Sequence, residues 1–215
     1  MVKKATILDY GMCNLLNVAR AFEYCGFEIE ISDDPVSAKA AERLVVPGVG
    51  AFAKSMEEVR RRGCDDAIRN FIGSGRPFLG ICVGMQMLFD GSDEFGASAG
   101  LGILRGQVVR VPEWTVDGER QRVPHIGWNH LVQPELGRDW DRSVLETLED
   151  SNPAVYFVHS FAALPLDDSI RLADAVYGGH RLCAAVKRDN LMATQFHPER
   201  SGTVGLEMLR AFGNL

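Results

Sequence analysis

One short segment places a cysteine in a setting that is typical of a nucleophile. Cys82 lies between Gly80 and Gly84, where an apolar strand pattern gives way to a helical pattern. A sharp strand-to-helix turn holds its central residue in a strained conformation, and small neighbours keep the surrounding backbone out of the way. The spacing therefore predicts a nucleophile elbow. A buried core cysteine, the commonest fate of a free thiol, stays open as an alternative on this segment alone.

A second segment offers a base and a carboxylate to orient it. His197 comes just after an apolar strand pattern near the end of the chain, and Glu199 follows two residues later. A cysteine nucleophile needs a base, and the base needs an orienting partner. A histidine beside a turn proline is more often structural, so His-Pro-Glu alone is a weak signal. Because ligands bind at the carboxyl ends of parallel strands, the two segments together predict a triad of Cys82, His197 and Glu199.

A third segment, Pro47-Gly48-Val49-Gly50, follows a buried strand pattern. Its backbone N–H groups could reach a tetrahedral intermediate, although a simple glycine-rich turn would have the same sequence. A phosphate-binding loop is disfavoured because no Lys-Ser/Thr pair follows, and the spacing is too short for a dinucleotide fingerprint.

The elements that must position these residues read as an α/β protein. Apolar strand patterns alternate with helical ones in the first half of the chain, which predicts a doubly wound, mainly parallel sheet. Buried strands are expected at 27–31 and 44–46, and helices at 56–68 and 85–89. From about residue 102, strand patterns separated by turns predict antiparallel additions. The length of 215 residues predicts a single domain over residues 1–215.

Composition excludes several classes of function. The formal charge of −6 disfavours a nucleic-acid partner, and we expect no membrane span, because no segment approaches the roughly 18 apolar residues that one needs. The amino-terminal sequence lacks the apolar segment of a signal peptide, so we expect a cytoplasmic protein. The five cysteines lack Cys-x-x-Cys spacing, and His125, His130, His159 and His180 lack metal-ligand spacing. We therefore expect neither a disulfide framework nor a metal or other cofactor.

With these segments in place, the sequence resembles the class I glutamine amidotransferases, and within them the glutaminase subunits of imidazole glycerol phosphate synthase. The elbow and the His-Pro-Glu segment are typical of the whole class. Four further segments resemble the subunit: Asp9-Tyr10-Gly11-Met12-Cys13-Asn14, Pro47-Gly48-Val49-Gly50-Ala51-Phe52, Pro124-His125-Ile126-Gly127-Trp128-Asn129 and Tyr156-Phe157-Val158-His159-Ser160. Within them, Gly127-Trp128-Asn129 and Phe157-Val158-His159-Ser160 are much more particular to this subunit.

The resemblance implies a mechanism. Cys82 attacks the side-chain amide of glutamine, His197 carries the proton to the leaving ammonia, and Glu199 orients His197. The backbone N–H groups of Val49 and Val83 stabilise the oxyanion, after a peptide rotation in the Pro47 to Gly50 segment. The resemblance assigns four residues to binding glutamine itself: Gly50, Gln86, Ser160 and Phe161.

The resemblance also implies a partner. Ammonia would pass to a (β/α)₈-barrel cyclase subunit, which joins it to a ribulosyl aminoimidazole-carboxamide nucleotide. The products are imidazole glycerol phosphate and an aminoimidazole-carboxamide ribotide. Four residues match the contact surface with the cyclase: Asn14, Trp128, Tyr156 and Arg200. For Trp128 and Tyr156, ordinary core packing is the alternative interpretation.

Three positions depart from the family pattern. Cys13 replaces the usual glycine, Phe161 a common tyrosine, and Arg200 the usual lysine. Arg200 is not a neutral replacement, because the planar guanidinium favours a different carboxylate geometry. The departures leave a second hypothesis open, a diverged glutaminase that supplies ammonia for the amidination of a bacterial surface sugar. A third, a non-catalytic interaction module, is disfavoured because the whole triad is present.

Overall fold

The computed structural model describes residues 2–135, 140–148 and 151–215. In these ranges the strands are β1 (Lys3–Leu8), β2 (Phe27–Ser32), β3 (Leu44–Gly48), β4 (Phe78–Cys82), β5 (Gly91–Ser92), β6 (Ser98–Ala99), β7 (Gly106–Arg110), β8 (His125–His130), β9 (Ala154–His159), β10 (Phe161–Pro165), β11 (Arg171–Tyr177), β12 (His180–Arg188) and β13 (Leu191–Thr194). The helices are α1 (Leu15–Tyr24), α2 (Pro35–Ala40), α3 (Phe52–Arg61), α4 (Cys64–Gly73), α5 (Val83–Gln86) and α6 (Gly202–Phe212).

A seven-stranded sheet forms the centre of the fold, in the order β11-β12-β13-β4-β3-β1-β2. The five strands from β13 to β2 are parallel, whereas β12 is antiparallel to β13 and β11 is antiparallel to β12. Helix α1 packs against α6, and α2 and α3 pack against α4. Two groups of helices are expected for a sheet that is covered on both faces. The predicted α/β, doubly wound fold with antiparallel additions is confirmed.

The register of the central strands brings their carboxyl ends together. Gly48 at the end of β3 pairs with Cys82 at the end of β4, and Thr194 at the end of β13 pairs with Ile81. Every residue of β3, β4 and β13 is buried, so all three strands are held by the hydrophobic core. Chain segments that leave these three strands therefore start from neighbouring, rigid positions, which suits a site assembled from several loops.

Two smaller sheets flank this edge of the main sheet. One has four short strands in the order β10-β7-β5-β6, and the other is the antiparallel pair of β8 and β9. In the β8–β9 pair, Trp128 lies opposite Tyr156 and His125 lies opposite His159. Side chains alternate between the two faces of a strand, so His125 points to the buried side while Ile126 is exposed.

Three details of the predicted elements are wrong. The strand at 27–31 is present as β2, but it lies at the sheet edge with Ile31 46% exposed, because it pairs only with β1. The helix expected at 56–68 is two helices, because Gly63 adopts the left-handed conformation and separates α3 from α4. The helix expected at 85–89 is the single turn α5, which begins and ends earlier.

None of the helices in the described ranges combines the length and the apolar character that a bilayer crossing requires. The prediction of a single domain over residues 1–215 remains a prediction. It includes residues 1, 136–139 and 149–150, which lie outside the described residues.

Candidate active site

Cys82 lies at a strained turn between β4 and α5. Its backbone angles are φ 56° and ψ −111°, a left-handed region that non-glycine residues seldom adopt. The turn is tight enough that a Cβ atom at Gly84 would overlap the carbonyl oxygen of Val46 on β3. Glycine at this position is therefore a steric requirement of the elbow. The strained strand-to-helix turn predicted from Gly80, Cys82 and Gly84 is present.

His197 and Glu199 form a close pair beyond the end of β13. His197 Nδ1 lies 2.8 Å from Glu199 Oε1, and the two side chains are only 6% and 4% exposed. The backbone N–H of His197 donates to the carbonyl oxygen of Tyr156 at 3.1 Å, which ties this segment to β9. Burial disfavours the charged imidazole, but interactions with Cys82 and Glu199 outweigh it and raise the pKa of His197 to about 10. The His197 ring is therefore protonated at neutral pH, so it has a proton to donate.

Eight of the predicted site residues line one cavity of about 300 Å³, and Glu199 is not among the lining residues. This volume lies at the lower end of the range for small-molecule sites, which suits a ligand of amino-acid size. His197 Nε2 is buried without a hydrogen-bond partner, so this nitrogen is available to a substrate or a thiol. Of the predicted residues, the cavity wall includes Cys82, His197, Val49, Val83, Gly50, Gln86, Ser160 and Phe161.

In the Pro47 to Gly50 loop, the backbone N–H of Val49 does not point into this cavity. The backbone N–H of Val49 instead donates to the carbonyl oxygen of Met12 at 2.9 Å. The Cys13 thiol donates to the carbonyl oxygen of Pro47 at 3.1 Å, so two neighbouring residues hold the loop. An oxyanion hole that includes the Val49 N–H would require rotation of this peptide, and the role of Val49 stays a prediction.

Two residues that were not predicted, Glu94 and Gln195, also belong to the site, and of these Glu94 lines the cavity. Glu94 lines its wall and accepts the Phe52 N–H at the start of α3 at 2.7 Å. Gln195 is fully buried, and its Nε2 donates to Cys82 Sγ at 3.6 Å. For Gln195 a signal existed, since it is a polar residue at the end of the apolar strand that leads to His197. Glu94 lies in a turn-rich segment and carried no such signal.

Three of the four predicted partner-contact residues form one cluster. The Trp128 and Tyr156 rings meet edge to face with centroids 6.2 Å apart, and the Arg200 guanidinium lies 4.6 Å from the centre of the Tyr156 ring. Trp128 is 58% exposed, so core packing does not explain it. Asn14 is exposed just before α1, and α1 packs against the turn Pro198–Arg200. The role of this surface remains a prediction.

In the part of the chain that the structure describes, no group of three or more His, Cys, Asp or Glu side chains is arranged to hold a metal ion. The side chains that line the cavity include a thiol, two imidazoles, a carboxylate and an amide.

Comparison with known proteins identifies relatives over nearly the whole chain. The profile of the family described as "Glutamine amidotransferase class-I" matches residues 6–214. The chain is 46% identical over 211 residues to imidazole glycerol phosphate synthase subunit HisH 1 of Legionella pneumophila strain Lens, covering 98% of this chain and 99% of the relative. It is 47% identical over 210 residues to the HisH subunit of Syntrophotalea carbinolica, covering 97% of this chain and 98% of the relative.

Among solved structures, PurLQS from Thermotoga maritima is similar with a TM-score of 0.72 and 18% identity, over 100% of this chain and 99% of that chain. At this identity the likeness concerns the fold alone.

Proposed function

The chain belongs to the class I glutamine amidotransferase family, and we propose that it is the glutaminase subunit of imidazole glycerol phosphate synthase. One observation carries the proposal. Cys82 on its strained elbow and His197, which is paired with the buried Glu199 carboxylate, line one cavity. The same chain matches relatives named as that subunit over 97–98% of its length. The family supplies the class of reaction, and the site supplies the groups that perform it.

The triad would hydrolyse glutamine in two stages. The Cys82 sulfur attacks the side-chain carbonyl carbon of glutamine as its proton passes to His197, and His197 delivers that proton to the amide nitrogen as the C–N bond breaks. Ammonia leaves and a glutamyl thioester remains on Cys82. His197 then takes a proton from water as the water oxygen attacks the thioester, and it returns this proton to the sulfur when the C–S bond breaks, which releases glutamate and restores the thiol. The buried Glu199 carboxylate holds the imidazole in one orientation throughout, through its contact with Nδ1.

Two groups would stabilise the tetrahedral intermediates. The N–H of Val83, at the start of α5, and the N–H of Val49 are the proposed donors to the oxyanion. Because Val49 N–H is bound to the Met12 carbonyl, only the state with a rotated loop offers both donors. The structure thus supports a proposal in which the partner controls the glutaminase by shifting the loop population.

Glutamine binding is assigned to the cavity wall. Four residues that line the cavity beside Cys82 are proposed to bind glutamine: Gly50, Gln86, Ser160 and Phe161. Glu94 adds the cavity carboxylate that suits the α-ammonium group of an amino acid, because a buried cation needs an anionic partner.

The proposal includes a cyclase partner, which receives the ammonia and which has the (β/α)₈-barrel fold. The surface of Trp128, Tyr156, Arg200 and Asn14 is the proposed contact. An exposed aromatic pair with a stacked arginine suits an interface, since Trp, Tyr and Arg are enriched at energetically important contacts. A cytoplasmic location is part of the proposal, and the free thiols at all five cysteines suit a reducing compartment.

We expect the isolated chain to be a weak glutaminase, since Val49 N–H is turned away from the cavity. Addition of the cyclase with its nucleotide ligand should raise glutamine turnover about 5–150-fold, the usual range of coupling between two sites. Steady-state glutamate release, measured with and without the cyclase and its ligand, tests the proposed function. Full activity of the isolated chain would refute control by the partner, and no activity under any of these conditions would refute the function itself.

The Cys13 thiol should restrain rotation of the Pro47 to Gly50 loop. Burial raises the pKa of this thiol to about 12, so the S–H donor to the Pro47 carbonyl persists at neutral pH. Cys13→Ala removes that bond, and we expect the glutamine turnover of the isolated chain to rise about two- to fivefold, as for loss of one weak hydrogen bond. Cys13→Ser should stay closer to the original rate, because the hydroxyl can still donate.

Cys25→Ala is the matched control for Cys13→Ala. Its half-buried thiol donates to the Leu206 carbonyl at 3.4 Å, away from the loop. Cys25→Ala should leave turnover unchanged. Equal rates for Cys13→Ala and Cys25→Ala would show that the Cys13 thiol does not restrain the loop.

A further inference from the structure

A buried pair of histidines, His125 and His159, lies beside the cavity and outside the triad. His125 Nδ1 lies 3.1 Å from His159 Nε2, and His159 Nδ1 lies 2.9 Å from the carbonyl oxygen of Phe161. The two side chains are almost fully buried, at 3% and 6% exposure. His159 itself lines the cavity, so the pair connects β8 to the wall that faces Cys82.

The carbonyl oxygen sets the direction of every hydrogen bond in the pair. A carbonyl only accepts, so His159 Nδ1 must donate and its Nε2 must be the acceptor. His125 Nδ1 then donates to His159 Nε2, which leaves His125 Nε2 as an acceptor facing the Asn129 amide at 3.4 Å. This arrangement requires two neutral imidazoles. Burial lowers the pKa of each histidine to about 4, so both are neutral at physiological pH.

The same carbonyl connects the pair to the nucleophile. Phe161 O also accepts a hydrogen bond from Gln86 Nε2 at 2.9 Å. Gln86 Nε2 makes a second bond, at 2.9 Å, to Gln195 Oε1. Gln195 Nε2 in turn donates to Cys82 Sγ at 3.6 Å. A continuous series of hydrogen bonds therefore leads from the histidine pair through the glutamine-binding wall to the sulfur.

The His125 ring is also fixed by its neighbours. It stacks on Phe157 with centroids 4.8 Å apart and on Tyr177 with centroids 4.1 Å apart. Because the ring is held from two sides, its Nδ1–H is held in one direction. A donor with a fixed direction suits a positioning role, because it holds the acceptor group, here His159, in one orientation.

We propose that His125 and His159 are positioning residues for glutamine, which hold the Phe161 carbonyl and, through it, the Gln86 and Gln195 amides against Cys82. The inference rests on the proposed glutaminase function. It extends that function, because it assigns the positioning of the glutamine-binding groups to a pair of imidazoles outside the triad.

Two substitutions at His125 separate hydrogen bonding from packing. His125→Phe keeps the aromatic stack and loses the donor, whereas His125→Asn keeps a donor at the position of Nδ1 and loses the stack. In the complex with the cyclase, His125→Phe should raise the KM for glutamine about five- to twentyfold, with kcat changed less than about threefold, as for loss of substrate positioning. In His125→Asn, the KM for glutamine should stay much closer to that of the original chain.

A packing role predicts the reverse order, with His125→Phe close to the original chain and His125→Asn impaired. Thermal unfolding of each variant shows whether it is folded. Should a His125 variant fail to fold, His159→Asn, which keeps the donor to Phe161 O, and His159→Leu, which loses it, repeat the comparison. An unaltered KM in folded His125→Phe or His159→Leu would overturn the inference and leave the glutaminase function standing. An inactive original complex would instead overturn the proposed function, and the inference with it.

Discussion

Replacement of Cys82 by serine or alanine is expected to abolish glutamine hydrolysis, with turnover reduced at least about 10⁴-fold. The thiol is the attacking group, and neither substitute offers a comparable nucleophile. Both substitutes are small, and both take the place of a non-glycine residue that already adopts the strained backbone at φ 56°. The folded state should therefore be retained. Glutamate release in the complex with the cyclase, together with thermal unfolding, measures the two effects separately.

Covalent labelling identifies the nucleophile directly. An electrophilic glutamine analogue should inactivate the complex and place one label on Cys82, which peptide mass spectrometry locates. Cys25→Ser is the control, because this thiol is half-buried and lies outside the cavity, and it should leave labelling and activity unchanged. Inactivation accompanied by label on Cys13 or Cys64 would show that the assignment of the nucleophile is wrong.

Loss of the Glu199 charge is expected to have the second largest effect. In Glu199→Gln the amide has nearly the same shape, but it no longer provides the carboxylate that faces His197 Nδ1 at 2.8 Å. The imidazolium then loses its counter-ion, and the orientation of the ring is no longer fixed by charge. We expect kcat to fall about 10²–10⁴-fold, the range associated with a positioned acid or base and its orienting group.

The pH profile distinguishes this effect from general damage. The hydrogen bond that His197 Nδ1 donates to the Glu199 carboxylate is, with the interaction of His197 with Cys82, one of the causes that raise the pKa of His197 to about 10. Activity that needs the imidazolium is lost as the pH rises through that pKa. Without the carboxylate the pKa falls, so the alkaline loss of activity in Glu199→Gln should occur at lower pH. If Glu199→Gln were slower but lost activity at the same alkaline pH as the original chain, the proposed role of Glu199 toward His197 would be contradicted.

The sequence predicted the central part of the fold and the triad for clear physical reasons. Buried parallel strands are short apolar runs, and the residues that follow β4 and β13 are therefore easy to place at one sheet edge. Glycine on both sides of Cys82 indicated a tight turn, and the overlap of a Cβ at Gly84 with Val46 explains why. Such features depend on local sequence, and for this reason they were predictable.

Other parts of the site depend on contacts that are distant in sequence. Val49 N–H is bound by Met12, Gln195 reaches Cys82, and His125 meets His159 across the β8–β9 pair. The spacing of the histidines along the sequence carries no information on their pairing. His125 meets His159 only because β8 and β9, which are distant in sequence, pair in one particular register.

Two departures from the family pattern gain a local explanation. The thiol of Cys13 reaches the Pro47 carbonyl, and the guanidinium of Arg200 stacks on Tyr156. A planar guanidinium stacks on an aromatic ring better than an ammonium group does. Arg200 therefore remains part of the proposed interface, with a geometry suited to its own side chain. Nothing in the structure explains the phenylalanine at position 161.

The coupling of glutamine consumption to product formation tests the central claim most directly. The chain is mixed with the cyclase, the ribulosyl nucleotide and glutamine, and glutamate and imidazole glycerol phosphate are measured in the same sample. We expect close to one imidazole glycerol phosphate for each glutamate, and we expect free ammonia at high pH to replace the chain. Uncoupled glutamate release with this nucleotide, together with transfer of ammonia to an acetamidino sugar when a sugar-modifying partner is supplied, would contradict the account.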